Sequence, residues 1–466
     1  MRTETDSLGP VQVPDDALWG AQTQRAVDNF RVSGLKQAAV YISSTALVKR
    51  AAAEVNVALG MLDAELGRAI ADAATQIVDG SWHDQFVVDP FQAGAGTSHN
   101  MNANEVIANL ANEALGGERG SYRPVHPNDH VNMAQSTNDV IPTVLRVAAS
   151  IRSLALLEAL DGLVAALEVK AAAFDRVLKP GRTHLQDAVP VRLGQEFGGY
   201  ARAVALDRQR IARVLEMVHR LGIGGTATGT GLNSHPEYHL RMVGRLSELT
   251  GIRFESAGNL FEPMQSAADM TDLSSALRTA AVTLTRISND LRLLSSGPIT
   301  GLYEITLPAM QPGSSIMPGK VNPVMAEMLN MVCFHVMGND VAIMAAAQAG
   351  QLELNVMTPI IAYNLLQSLE ILSNGIALFT DRCVVGIDAN QARCQDLAER
   401  SIGLATALNA HIGYSAAAKV AQEAMERGIS LRQVVLEHGY LTAKALDEVL
   451  DAYAMTEPGI PGQDLE

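Results

Sequence analysis

An all-α fold is predicted for this 466-residue chain. Three observations predict it: a composition poor in aromatics, apolar residues recurring at helical spacing, and polar, glycine-containing segments between those stretches. Hydrophobic residues make up 48% of the chain and aromatics only 4%, whereas sandwiches and barrels rely on aromatic and β-branched side chains. Ala, Leu and Met lose little freedom in a helix. A chain of this length exceeds one compact core, so it predicts two or three subdomains or one large helical assembly.

Periodicity is clearest from Met270, where Leu273, Leu277, Leu284, Ile287, Leu291 and Leu294 follow a 3-and-4 pattern with no proline before Gly297. Leu156, Leu160, Leu163 and Leu167 repeat that spacing, as do Ile211, Leu215 and Val218 after Pro190. A further seam-bearing stretch begins after Pro323 and is expected to kink near Pro359. Long helices with wide apolar faces predict a bundle that buries them against partner subunits. The segments Gly94–Asn104, His126–Asn138, Gly181–Gln186, Gly222–Asn233 and Gly297–Asn322 read as loops at helix ends. Coarsely, an N-terminal region runs over 1–139, a central long-helix bundle over 140–392 and a C-terminal helical region over 393–466.

The formal charge of −15, from 35 Lys and Arg against 50 Asp and Glu, argues against nucleic acid or an anionic membrane as partner. It leaves room for a small dianion held by local donors in a cleft. Cys333, Cys383 and Cys394 have no CxxC spacing, which suggests neither a disulfide framework nor a zinc site and points to a reducing, cytoplasmic setting. The polar start MRTETDSLGPVQVPDD has no apolar core of a signal peptide. Polar residues such as Asn339 and Asp340 interrupt the most apolar runs, so no membrane span is expected.

The most informative segment is GSSIMPGKVNP, Gly313 to Pro323. Two glycines and two prolines describe a shaped loop with Ser314, Ser315, Lys320 and Asn322 as its polar side chains. By itself it fits either an anion-binding loop or an ordinary helix-capping turn. No GxxxxGK[ST] or GxGxxG follows a strand pattern, which removes a nucleotide-binding module.

This loop resembles the hallmark of the superfamily that includes fumarase, aspartase, argininosuccinate lyase and adenylosuccinate lyase. Four further segments resemble their counterparts in order: GAGTSHNMNANEV from Gly94, HPNDHVNMAQSTNDVIPT from His126, GRTHLQDAVPVRLGQEF from Gly181 and GTGLN from Gly229. The resemblance implies a three-domain helical fold and a homotetramer whose active sites are each shared by three subunits. The implied reaction removes a proton from Cβ of a small dicarboxylate, forms an aci-carboxylate and expels the leaving group, with neither a metal nor another cofactor.

Residue by residue, the resemblance makes Ser314 the catalytic base, its alkoxide favoured by nearby donors and by Lys320. Lys320 and Asn322 would bind one substrate carboxylate, and Thr97, Ser136, Thr137 and Ser315 the other. Thr183 and His184 would close the pocket, with His184 paired to Glu327 and acting on the leaving group. Asn138 would accept from an ammonium group. His126, Asn128 and Asp129 match a second anion site or, equally, a helix-initiating turn. His99 departs from the family pattern; it either modifies the pocket entrance or, the favoured reading, simply faces outward.

The catalytic loop does not separate aspartase from fumarase. Ala95, in GAGTS, and the stretches QAGQLELNVMTPII and AYAMTEPGIPG lean toward an aspartate ammonia-lyase; a class II fumarate hydratase is the alternative. A structural protein of the same fold is disfavoured, since Ser314, Lys320 and His184 are all present.

Overall fold

The apolar seams of the sequence become buried helix faces. In the computed structural model, which describes residues 1–463, Leu273, Leu277, Leu284, Ile287, Leu291 and Leu294 are all buried on the helix Ala268–Leu294. Gly297, at a φ of 125°, lies just beyond its end. Leu156, Leu160, Leu163 and Leu167 are buried along Thr137–Ala173, and Ile211, Leu215 and Val218 along Leu193–Val218. The chain is predominantly helical, as expected. The final three residues of the predicted C-terminal region, 464–466, lie outside the described residues.

The stretch after Pro323 is not one kinked helix but two, Val324–Gln348 and Thr358–Arg382. Pro359 sits in the first turn of the second, where its missing N–H costs nothing. In the break, Asn355 Nδ2 donates to the carbonyls of Ala346 and Ala347 at 3.2 and 3.0 Å, which satisfies acceptors the ending helix leaves open.

Four of the expected loops hold regular structure, with the helical turn Pro127–Val131 in one and the short strand Ile305–Thr306 in another. Only Gly94–Gly96 forms a turn before the helix Thr97–Ala114 begins. Gly181–Gln186 is the tip of an antiparallel hairpin, Leu178–Thr183 paired with Gln186–Arg192. His184 and Leu185, at φ of 56° and 59°, make its two-residue turn, the left-handed geometry that matches strand twist.

The chain divides into two compact units, one of Met1–Glu158, Asp207–Ala281 and Val332–Asn374, the other of Ala159–Leu206, Val282–Met331 and Gly375–Glu466. In the first, a core around Ile42, Ile70, Ile77, Phe86 and Ile107 joins the helices Ala39–Ala58, Ala64–Val78 and Thr97–Ala114. In the second, Leu408, Val420, Val434 and Leu446 form a core among the C-terminal helices. The three cysteines are buried thiols, not disulfides; burial pushes the Cys383 and Cys394 thiols up to about 12, so both behave as small apolar core residues.

By length and composition the helices Thr137–Ala173 and Val324–Gln348 are apolar enough to cross a bilayer. Asn339 and Asp340 interrupt the second of them, as expected. Asn339 Nδ2 donates to Ser368 Oγ at 3.0 Å, and Ser274 Oγ donates to Asp340 at 2.6 Å, so both polar residues are satisfied inside the first unit. Of the apolar window in Thr137–Ala173, 72% is buried, the environment of a core helix.

Candidate active site

In the first unit two helix N-termini carry the hydroxyls assigned to a carboxylate. Thr97 opens Thr97–Ala114 and is exposed. Ser136 precedes Thr137–Ala173 and caps it: its Oγ accepts the Asn138 N–H at 3.2 Å, while Asp139 accepts the Ser136 N–H at 2.9 Å. This reciprocal pair is a capping box. It leaves Thr137 and Asn138 on the first turn of a 37-residue helix, where the helix dipole favours an anion. Asn100 joins the two helix starts, its Nδ2 donating to Thr137 Oγ1 and Asn132 Oδ1, each at 3.2 Å.

Beneath these donors lies a buried polar layer. Lys49 is fully buried, and its ammonium donates to Asn132 Oδ1 and Gln135 Oε1, both at 2.9 Å. Burial pulls its pKa down to about 7, against the opposing charge of Asp139. Asp139 is pushed up to about 6 by burial although it accepts from the Ser136, Gly224 and Thr226 N–H groups. These residues went unassigned at the sequence level. The S-x-x-D spacing of Ser136 and Asp139 was the available signal; nothing local marks Lys49 or Gln135.

His99 is a correction. It points inward, 1% exposed, with Nε2 at 2.9 Å from Thr45 Oγ1 and its ring stacked on Tyr41 at 4.7 Å. Burial, with Lys49 adding to it, lowers its pKa to about 3. The helix is buried on every side from Ser98 to Asn112, so position 99 has no outward face. His126 Nδ1 accepts the N–H groups of Asn128 and Asp129 at 3.3 and 3.2 Å and thereby caps the turn Pro127–Val131, the structural one of its two readings.

In the second unit the Gly313–Pro323 loop is tied at its neck. Gly313 N–H donates to the Lys320 carbonyl at 2.7 Å, and Asn322 Nδ2 donates to the Gly313 carbonyl at 2.9 Å. A Cβ on Gly313 would sit 2.6 Å from the Lys320 carbonyl oxygen, so only glycine closes the neck. Inside it, Ser314 Oγ accepts the backbone N–H of Ile316 at 3.2 Å and of Met317 at 3.0 Å. Two donors therefore converge on the oxygen that a base would carry as an anion. Ser315 and Lys320 are exposed, and Lys320 and Asn322 line a cavity of about 570 Å³ with Tyr303, Thr306 and Pro308.

Thr183 and His184 project, exposed, from the hairpin tip. The hairpin is anchored by buried charge: Lys179 pairs with Glu196 at 2.8 Å and Glu304 at 3.3 Å, and Arg182 with Glu304 at 2.9 Å. Among the described residues no hydrogen bond or ion pair joins His184 to Glu327, or the hairpin tip to Ser314. In the first unit Ser136, Thr137 and Asn138 share one helix start and Thr97 opens another; in the second, Ser314, Ser315, Lys320 and Asn322 share one loop, and Thr183 and His184 one hairpin tip.

Known proteins resemble this chain over nearly its whole length. A lyase family matches residues 9–338 and the C-terminal domain of fumarase C matches 404–457. The chain is 48% identical to the aspartate ammonia-lyase of Bacillus subtilis, covering 100% of this chain and 98% of that one. It is also 48% identical to the class II fumarate hydratase of Brucella suis, over 98% and 99%. The crystal structure of the class II fumarase from Schistosoma mansoni superposes with a TM-score of 0.96 at 38% identity, over 98% and 99%.

Proposed function

The chain belongs to the fumarase/aspartase superfamily of lyases, and from that membership we propose that it is an aspartate ammonia-lyase, converting L-aspartate reversibly to fumarate and ammonia. The observation that carries the chemistry is the pair of backbone donors on Ser314 Oγ. A serine hydroxyl is too weak an acid to ionise in water at neutral pH, and fixed N–H donors together with Lys320 lower the cost of its alkoxide.

In this reading Thr97, Ser136, Thr137 and Ser315 hold one carboxylate, and Lys320 and Asn322 the other, with Thr183 closing the pocket. Ser314 takes the Cβ proton and the electron pair moves into the adjacent carboxylate. Collapse of that aci-carboxylate breaks the Cα–N bond, and His184, oriented by Glu327, attends the departing ammonia. Asn138 faces the amino group. Its Nδ2 is occupied by the Ala227 carbonyl at 2.8 Å, which leaves the amide oxygen to accept from an ammonium.

In this proposal each site draws the helix starts, the Ser314 loop and the hairpin tip from different subunits of a cytoplasmic homotetramer. Phe334, Val341 and Met344, 57%, 60% and 52% exposed on one helix, support an assembly that covers them. The three-region division at about 139 and 392 belongs to the same reading. Class II fumarate hydratase is the second reading, because it shares the Ser314 loop. Purified protein with L-aspartate should release ammonia and build fumarate absorbance; turnover of L-malate alone would replace the first reading by the second.

A further inference from the structure

Asp139 is 1% exposed, and beyond capping its own helix it has no part in the chemistry proposed above. Both of its oxygens are engaged by backbone donors. One accepts the Ser136 N–H at 2.9 Å within the capping box; the other accepts the N–H groups of Gly224 at 2.8 Å and Thr226 at 3.0 Å, 85 and 87 residues further along the chain. Gly224 and Thr226 both have positive φ, 95° and 55°, the backbone form that gathers N–H groups around an anion. The next residue, Ala227, supplies the carbonyl that accepts from Asn138 Nδ2 at 2.8 Å. A carbonyl only accepts, so this contact fixes which end of the Asn138 amide is the nitrogen.

We propose that Asp139 is a positioning residue that acts through the 224–227 turn to hold the Asn138 amide oxygen outward, as an acceptor for the amino group of an amino-dicarboxylate. The inference rests on the reading of Asn138 as the residue that faces the leaving nitrogen. An ammonium only donates, so a reversed amide would set donor against donor. A hydroxyl both donates and accepts and tolerates either orientation. The clamp therefore bears on the choice between an amino and a hydroxy acid, which the shared catalytic loop leaves open. Asp139→Asn keeps the size of the side chain but turns an NH2 toward N–H groups, so it releases the Ser136 side or the 224–226 side of the clamp.

The test is a double-mutant cycle of Asp139→Asn with Asn138→Ala, with kcat and KM measured on L-aspartate. Asp139→Asn alone should lower kcat/KM about 10- to 100-fold. In the Asn138→Ala background the same change should cost less than about 3-fold, because the group it positions is gone. Effects that multiply in the double variant would mean that Asp139 does not act through Asn138, and would overturn the proposal. Should Asp139→Asn fail to fold, Gly224→Ala takes its place in the cycle, since the new Cβ would meet His239 at 3.0 Å and strain a positive φ. Wild-type protein that releases no ammonia from L-aspartate overturns both readings; multiplicative effects in protein that does release it overturn this one alone.

Discussion

Ser314 Oγ lies 3.0 Å from the backbone nitrogen of Met317 and accepts its N–H, so the loop stabilises negative charge on its own serine before any substrate arrives. Ser314→Ala should lower kcat by roughly 10²- to 10⁴-fold, the usual weight of a general base. Its thermal midpoint should stay near that of the wild type, because a half-buried loop hydroxyl contributes within about 0.5 kcal/mol. Near-normal turnover in steady-state assays would remove Ser314 as the base.

Asn138→Ala should raise KM or lower kcat for L-aspartate, with a loss of about 1–3 kcal/mol in transition-state binding. The same variant should affect elimination of a hydroxyl from L-malate, if any is detected, much less. Equal losses on both substrates would remove the amino group as its partner.

His99 predicts a pH dependence of stability. Its folded pKa is depressed from 6.5 to about 3, so between those values the unfolded chain binds a proton that the folded chain refuses. Stability from this group is present above pH 6.5 and lost as the pH falls, by about 3 kcal/mol at pH 4.5. Thermal melts at pH 7 and pH 4.5 should show a larger drop for the wild type than for His99→Gln. Parallel drops would mean that His99 titrates normally.

Buried Arg146 and the largely buried Asp269 form an ion pair at 2.8 Å. Arg146→Ala leaves the Asp269 carboxylate without its partner and should destabilise the protein by about 3–5 kcal/mol, read as a lower denaturation midpoint. A change below about 1 kcal/mol would show that solvent replaces the guanidinium.

Shared active sites predict complementation. Thr137→Val and Ser314→Ala, each inactive alone, should regain a fraction of wild-type turnover when unfolded together and reassembled, since some sites then collect only intact residues. Hybrids shown by mass spectrometry to have formed, yet inactive, would place each site within one chain.

Much of the architecture was legible in the sequence, because an apolar seam spaced three and four apart must be buried wherever it lies. Leu273 to Leu294 needed no partner to be read as a helix face. The motif residues were legible for a related reason: Gly313 and Asn322 close a loop over a short span, so their local pattern survives in any context. Pro359 was misread as a kink, since a proline fits a helix start as well as a break, and the arrangement around Asn355 chose between them.

By itself, then, the sequence determined the helical class, the loop that holds Ser314 and the set of polar residues available for chemistry. Tertiary structure decided what those residues face. His99 turns inward because Tyr41 and Thr45 close over it. The Asn138 amide takes its orientation from Ala227, 89 residues away, and Asp139 is buried against a turn of the same segment. Polar side chains take orientation and charge state from desolvation and from partners distant in the chain, and no spacing in the sequence encodes either.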